Sequence, residues 1–208
     1  MEKFRIYKND YLSKDTNAFF HTFYLGFERP GNPDYLNILK NTYNDYPQGK
    51  LQTAVSQLRS VLDTDLPQIF QALGFNILTV CVVPRAKAES TYHKNQQLFR
   101  ATVQKSVGLI DGLVDGTGYI RRHTNTRTTH LSREIPNYNN DGKDPYPGIT
   151  KDTCYISPSV RGIDILLVDD IYTPGVNVDE DAINALLDAG ARSVTFYAVA
   201  YTKNKFSR

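Results

Sequence analysis

Two adjacent carboxylates, Asp169 and Asp170, lie between an apolar run and a short turn-forming loop in the stretch VDDIYTPGVN (168–177). Adjacent residues of a strand point to opposite faces, so the two acids can make different hydrogen bonds. The loop leads into a predicted helix, and free N–H groups at a helix N-terminus favour a phosphate. Carboxylates for hydroxyl groups and a loop for a phosphate together predict a phosphorylated-sugar site. The alternative is a solvated strand-to-helix turn, in which Asp is common.

A second candidate site follows the apolar run Phe75–Val83, which Pro84 ends. Arg85 and Lys87 supply positive charge beside backbone N–H groups, a combination that suits an anion. An ordinary solvated basic turn is the alternative interpretation of this stretch.

These two loops need elements that bring them together. Apolar spacing predicts a helix over 51–73, interrupted near Pro67 and ended by Gly74, and a second helix from near Ser90 to Val107. Continuous apolar runs predict buried strands, and acids in the first turn mark one further helix. In chain order these are a strand at 75–83, a strand at 163–168, a helix at 178–189 and a strand at 193–200. Their order predicts a parallel α/β sheet, in which ligands bind beyond the carboxyl ends of the strands.

The segment 108–162 is rich in Gly, Thr, Asn and Pro and predicts short antiparallel strands with a long loop around 137–148. Its stretch Gly116–Arg133 holds four arginines, two histidines and no acid. A segment of this kind beside a polyphosphate site could close over it as a lid. A solvated basic surface strand is the competing interpretation.

Length and composition set the class of protein. The 208 residues fit one domain, and no apolar run is long enough to cross a bilayer. A net charge of +2 does not by itself indicate nucleic acid. The N-terminus lacks the apolar core of a signal peptide, and Cys81 and Cys154 have no metal-ligand spacing. We therefore expect a cytoplasmic protein with no membrane partner.

The stretch ILLVDDIYTPGVN (165–177) resembles the PRPP-binding signature of type I phosphoribosyltransferases, where PRPP is 5-phosphoribosyl 1-diphosphate. The segments YHKNQQLFR (92–100) and IRRHTNTRTTHLSR (120–133) resemble the ComF-like branch of that family, which is related to the amidophosphoribosyltransferases. The resemblance covers roughly residues 75–203.

The resemblance implies a role for each candidate residue. Asp169 and Asp170 would hold the ribose hydroxyls and, indirectly, a Mg²⁺ ion carried mainly by PRPP. Arg85, Lys87 and the backbone of Ala86 would bind the pyrophosphate. The 5′-phosphate site would be lined by Thr173, Pro174, Gly175, Val176 and Asn177.

The resemblance also implies the fold. It predicts one phosphoribosyltransferase-like domain over 1–208, with a doubly wound, mostly parallel sheet. A core over 51–203 would carry a flexible insertion at 108–162, and the variable N-terminal segment 1–50 would form a hood together with that insertion. Aromatic side chains of the hood, such as Tyr24, Phe27 and Tyr35, would either stack on a planar acceptor or pack in the core.

Three positions depart from the family's pattern. Val176 offers its N–H but no hydroxyl. Pro174 has no N–H where the family usually has one, so one phosphate donor is lost. Asn177 stands where Thr is common, and the sequence predicts that its side chain caps the helix by accepting from the N–H near Glu180.

Three functions remain open at this point. The first is transfer of the phosphoribosyl group to an unidentified nitrogenous acceptor with release of pyrophosphate. The second is PRPP or nucleotide sensing without turnover, or a role in a DNA-related process. The third is hydrolysis of an N-glycosidic or phosphoribosyl bond. A homodimer and a nucleic-acid partner are left open as well.

Overall fold

Six strands form one mixed sheet in the computed structural model, which describes residues 1–128, 140 and 148–203. Within these residues the sheet has the order β1-β2-β8-β7-β3-β4, and a separate hairpin pairs β5 with β6. All neighbours in the large sheet are parallel except β1, which runs antiparallel to β2. The strands are β1 (Glu2–Ile6), β2 (Thr16–Tyr24), β3 (Leu78–Val82), β4 (Leu113–Asp115), β5 (Ile120–Arg122), β6 (Cys154–Ile156), β7 (Asp164–Tyr172) and β8 (Ser193–Thr202).

The predicted parallel α/β sheet is confirmed, and its central strands are buried on both faces. All five residues of β3 and the first five of β7 are buried. Their side chains are mainly β-branched or leucine, which suits a strand covered on both sides. The acidic pair Asp169–Asp170 lies inside β7 rather than beyond it, because the pairing with β8 continues to Tyr172.

Helices cover both faces of the sheet, as in a doubly wound fold. On one face lie α1 (Tyr35–Lys40), α2 (Gln48–Leu73) and α3 (Leu98–Val107), which bury leucines against the side chains of Val80, Leu166 and Tyr197. The other face is covered by α4 (Val178–Asp188) and the β5–β6 hairpin. We find no helix in 1–128 or 148–203 that combines the length and the apolarity needed to cross a membrane.

Two helix predictions need correction. Helix α2 runs unbroken through Pro67 and ends at Gly74, whose φ of 67° is the left-handed conformation that glycine adopts readily. The helix predicted from near Ser90 begins only at Leu98. Two short 3₁₀ turns precede it, and the side chains of His93 and Gln96 bond backbone N–H groups there in a reciprocal cap.

The N-terminal segment is part of the sheet, which differs from the hood expected for 1–50. Strand β2 pairs in parallel with β8, placing Ala18 opposite Phe196, and β1 then forms the edge. Aromatic side chains hold this edge together: the ring of Tyr201 lies 5.1 Å from that of Phe4 and 5.2 Å from that of Phe20. Several of the early aromatic residues therefore pack in the core. Only the part from Tyr24 onward reaches the cavity described below.

The direction in which successive strands are added to the sheet reverses between β3 and β7. From β3 the chain moves outward to β4, then returns to the other side of β3 as β7 and continues to β8. Such a topological switch point leaves a crevice beyond the carboxyl ends of the two central strands. The antiparallel strands predicted within 108–162 are confirmed for the β5–β6 hairpin, whereas β4, in the same segment, pairs in parallel with β3. Most of the predicted loop 137–148 lies outside the described residues.

Candidate functional site

A cavity of about 580 Å³ lies at this switch point, within the size range of small-molecule sites. Three parts of the chain line it: the end of β7 with the loop that follows, the loop after β3, and the segment around α1. Among its polar lining residues are Asn37, Lys40, Asp45, Arg85, Asp169, Asp170, Thr173 and Asp179.

Each carboxylate of the acidic pair is held by the backbone. Asp169 Oδ1 accepts the N–H of Asp170 at 2.7 Å, and Asp170 Oδ1 accepts the N–H of Ile171 at 2.7 Å. The second oxygen of Asp170 is 3.3 Å from the Lys40 Nζ. Both acids therefore line the cavity in fixed orientations, and Asp170 already pairs with the Lys40 ammonium.

Asp179, at the start of α4, faces the acidic pair and is 4% exposed. Its side chain is hydrogen-bonded to that of Asp169. Burial, followed by the negative charge of Asp170, raises the pKa of Asp169 to about 7, and burial and Asp169 raise the pKa of Asp179 well above its ordinary value. Burial and the neighbouring negative charges therefore favour a proton held between the two carboxyls.

The loop after β7 is a tight turn, which explains its proline. The Val176 N–H donates to the Thr173 carbonyl at 3.2 Å, and Gly175 has a φ of 82°. Proline second and glycine third are the preferred residues of a type II turn. The turn also occupies the Val176 N–H, which the sequence had left available to a phosphate.

The predicted helix cap at Asn177 is wrong. Asn177 adopts a left-handed φ of 63° and makes no side-chain cap bond, and its Oδ1 accepts from Asn9 Nδ2 at 3.1 Å instead. With its backbone left-handed, the residue continues the turn and does not have the extended conformation usual for an N-cap. Thr173 and Val176 line the cavity; Pro174, Gly175 and Asn177 do not.

The basic loop after β3 faces the acids from the neighbouring strand. The Arg85 guanidinium lies 4.5 Å from the ring centre of Tyr92, and its Nη1 donates to the Gln96 carbonyl at 2.6 Å. Among the described residues, the N–H groups of Arg85 and Ala86 have no hydrogen-bond partner, so both can serve an anion. Lys87 is buried beside a separate cavity of about 50 Å³, away from the acids.

Arg122 fastens this basic loop. It is 2% exposed, and it donates from Nε to the Arg85 carbonyl and from Nη1 to the Gly148 carbonyl, each at 2.7 Å. The Thr126 N–H also bonds the Ala86 carbonyl at 2.8 Å. The described part of the predicted lid, 116–128, thus packs against the loop; Arg133 lies outside the described residues.

We expect Arg122→Met to lower the free energy of unfolding by about 2–4 kcal/mol, because two buried carbonyls lose a charged donor. Denaturant unfolding measures the change. Arg121→Met is the matched control, since Arg121 is exposed and bonds only the nearby Gly118 carbonyl in the described part of the chain. Equal stability of the two variants would contradict this role for Arg122.

Tertiary structure adds residues that the sequence did not single out. Lys40, in the last turn of α1, is the main one, and α1 is too short to show a helical period. Of the three candidate aromatics, Tyr24 lines the cavity and bonds Asn37, Tyr35 packs against the core, and Phe27 is half exposed. Tyr43 and Tyr46 supply further aromatic lining.

The donor set suits Mg²⁺ only together with a ligand. No three His, Cys, Asp or Glu side chains converge in a metal-binding arrangement within the described ranges. Mg²⁺ is commonly held by one or two carboxylates, with substrate phosphates and waters completing its shell. Asp169 and Asp170 could supply the carboxylate ligands from the protein. The lining residues therefore fit a metal ion that binds together with a polyphosphate.

Comparison with models of known protein families and with the sequences of curated proteins gives no match to this chain. The geometry of the cavity is therefore what supports a function for it.

Proposed function

We propose that the chain is a phosphoribosyltransferase-like protein with the type I phosphoribosyltransferase fold. It binds PRPP with Mg²⁺ and transfers the phosphoribosyl group to a nitrogenous acceptor, releasing pyrophosphate. One observation carries the proposal: the acidic pair and the basic loop meet across one cavity at the switch point between β7 and β3. Carboxylates on one side and cationic and N–H donors on the other match a sugar bearing phosphates at both ends.

Asp169 and Asp170 accept the ribose hydroxyls and orient the ring. The N–H groups of Arg85 and Ala86 and the Arg85 guanidinium bind the pyrophosphate as it leaves C1. The 5′-phosphate is received by Thr173 and by the N–H groups of Val178 and Asp179 at the start of α4, because the turn already uses the Val176 N–H. Mg²⁺, when bound, would neutralise negative charge on the pyrophosphate, and Asp169 and Asp170 would help to hold it.

The bond from C1 to the pyrophosphate oxygen breaks as a bond from the acceptor nitrogen to C1 forms. The acceptor's proton is lost to solvent or to a nearby base. The protein's contribution is positioning and charge stabilisation of the cationic sugar. Tyr24, Tyr43 and Tyr46 offer flat surfaces for a planar acceptor at the cavity wall formed by the α1 segment.

Calorimetric titration of PRPP with and without Mg²⁺ tests the site, followed by a pyrophosphate-release assay over nitrogenous acceptors. We expect Mg²⁺-dependent binding and release of pyrophosphate with one acceptor class. No binding at millimolar PRPP would sink the proposal. Ribose 5-phosphate formed without an acceptor would indicate the hydrolase instead.

A second candidate is a protein that binds PRPP or a nucleotide without turnover. The Lys40–Asp170 ion pair favours it, because one of the two catalytic carboxylates is already occupied. Pro174 favours it too, because the phosphate loop lacks one donor. Such a protein would bind PRPP, release no pyrophosphate with any acceptor, and change its affinity for a partner.

Pro174→Thr should tighten PRPP binding by up to about tenfold, because it restores an N–H to the loop next to the 5′-phosphate site. The type II turn tolerates residues other than proline at this position. Calorimetry measures the change, with Pro158→Thr, in the 3₁₀ turn 158–160, as the control. Weaker binding by Pro174→Thr would mean that the loop suits another ligand.

A further inference from the structure

The ammonium group of Lys40 lies at the acidic side of the cavity. Its Nζ is 3.3 Å from Asp170 Oδ2, with 30% of the lysine side chain and 16% of the aspartate side chain exposed. A lysine at this distance from a carboxylate keeps its positive charge. The pair is therefore a true ion pair at neutral pH.

Each oxygen of Asp170 has one partner. Oδ1 accepts the Ile171 N–H and Oδ2 pairs with Lys40. The backbone bond is local to the strand, whereas the lysine reaches Asp170 on a long, flexible side chain from another element. Lys40 is thus the partner that can leave when a ligand arrives.

The backbone that carries Lys40 is anchored. Gln96 Nε2 donates to the carbonyls of Asn41 and Thr42 at 3.0 and 2.9 Å, directly after α1. The Gln96 carbonyl in turn accepts from Arg85 in the basic loop. These bonds connect the end of α1 to the basic loop across the cavity. The backbone at Lys40 is therefore fixed, and we expect only the Lys40 side chain to move when a ligand binds.

A third carboxyl, that of Asp179, lies beside the acidic pair. Asp179 Oδ1 is buried and, within the part of the chain that the structure describes, has no hydrogen-bond partner. Asp179 interacts by charge with Asp169 and Asp170, and Lys40 pairs with Asp170. A divalent ion concentrates more charge than one ammonium in the same space, so it would interact more strongly with this acidic group.

We infer that Lys40 is a displaceable internal cation that occupies the place of a divalent metal on Asp170 in the free protein. When the metal enters with a sugar polyphosphate, the Lys40 ammonium leaves Asp170 and binds a phosphate of that ligand. The metal alone has no anion to offer Lys40, so it competes poorly for Asp170. This inference rests on the proposed function for the identity of the ligand.

The inference predicts opposite effects from one substitution. In Lys40→Met, free Mn²⁺ should bind about tenfold more tightly, because no ammonium competes for Asp170. Mg²⁺–PRPP should bind about tenfold more weakly, because its phosphate loses a cationic partner. A lysine with a merely structural role would not move the two affinities in opposite directions.

The experiment titrates Mn²⁺ by electron paramagnetic resonance and Mg²⁺–PRPP by calorimetry, in the wild type and in Lys40→Met. Lys105→Met is the control, since Lys105 lies in the last turn of α3 and is exposed. Thermal melting checks that each variant is folded, and Lys40→Gln, which keeps a polar group at the position, provides a second test if Lys40→Met fails to fold.

The possible results test the inference about Lys40 separately from the proposed function on which it rests. Tighter Mn²⁺ with weaker Mg²⁺–PRPP supports the inference. An unchanged Mn²⁺ affinity overturns it, even if PRPP binds. Tighter Mn²⁺ with unchanged Mg²⁺–PRPP overturns the transfer of Lys40 to the ligand. Absence of PRPP binding by the wild type overturns the proposed function, while the Mn²⁺ titration still decides whether Lys40 competes with a metal.

Discussion

The double variant Asp169→Asn, Asp170→Asn is expected to bind PRPP at least about a hundredfold more weakly than the wild type. Charge-assisted hydrogen bonds contribute roughly 1.5–3 kcal/mol each, and two of them to the ribose hydroxyls account for this factor. The substitution also removes the negative charge that attracts a metal to the ligand. Calorimetric titration in the presence of Mg²⁺ gives the affinity.

The fold should survive this double substitution. Asp169 and Asp170 repel each other in the cavity, and their amide replacements keep the size and can still accept the local N–H bonds. Asp111→Asn, Asp152→Asn is the matched control, because it removes the same charge from two exposed positions. A double variant that is folded and binds PRPP with unchanged affinity would refute the site assignment.

Asp179→Asn is expected to raise the free energy of unfolding at pH 8 by about 1–3 kcal/mol, with little change at pH 4. The folded-state pKa of Asp179 lies well above that of the unfolded chain. Below the unfolded pKa, about 3.9, both states carry the proton and no difference arises. As the pH rises, the unfolded chain ionises first, so the wild type loses stability up to the folded pKa.

The pH window follows from the partner carboxyl. The pKa of Asp169 is raised to about 7 and that of Asp179 lies well above its ordinary value, so the loss of stability should begin near pH 4 and continue at least to about pH 7. In Asp179→Asn the amide can donate to Asp169, which then ionises without repulsion from position 179.

Denaturant unfolding at unit pH steps, with exposed Asp152→Asn as the control, measures the effect of Asp179→Asn. A gap between Asp179→Asn and the wild type that widens with pH is the expected result. Parallel curves, or a less stable variant at pH 8, would contradict the shared proton.

Much of the fold could be predicted because its signals are local. The runs that became β3, β7 and β8 are continuous and β-branched, and such runs predict buried parallel strands. The apolar stripe and the acids of the first turn predict α4. Helix α1 and strands β1 and β2 were missed as core elements, because a six-residue helix and an edge hairpin have little periodic signal.

The acids and the loops of the site could also be recognised in the sequence, whereas the groups they bond to could not. Pro174 and Gly175 have the residue preferences of a type II turn, but the hydrogen bond that closes the turn shows that the Val176 N–H is occupied. Lys87 shares its loop with Arg85, yet only Arg85 lines the cavity, because side-chain direction depends on what packs against the loop.

The sequence alone determined that the chain forms a parallel α/β sheet and that an acidic pair and a basic loop follow two of its strands. Both follow from period, residue type and the placing of turns within a few residues. Tertiary structure decided which charges meet. Lys40 and Asp170 are far apart in the chain, and Asp169 shares a proton with Asp179 only because α4 packs against the end of β7. Such pairings depend on how elements pack, and no local pattern encodes them.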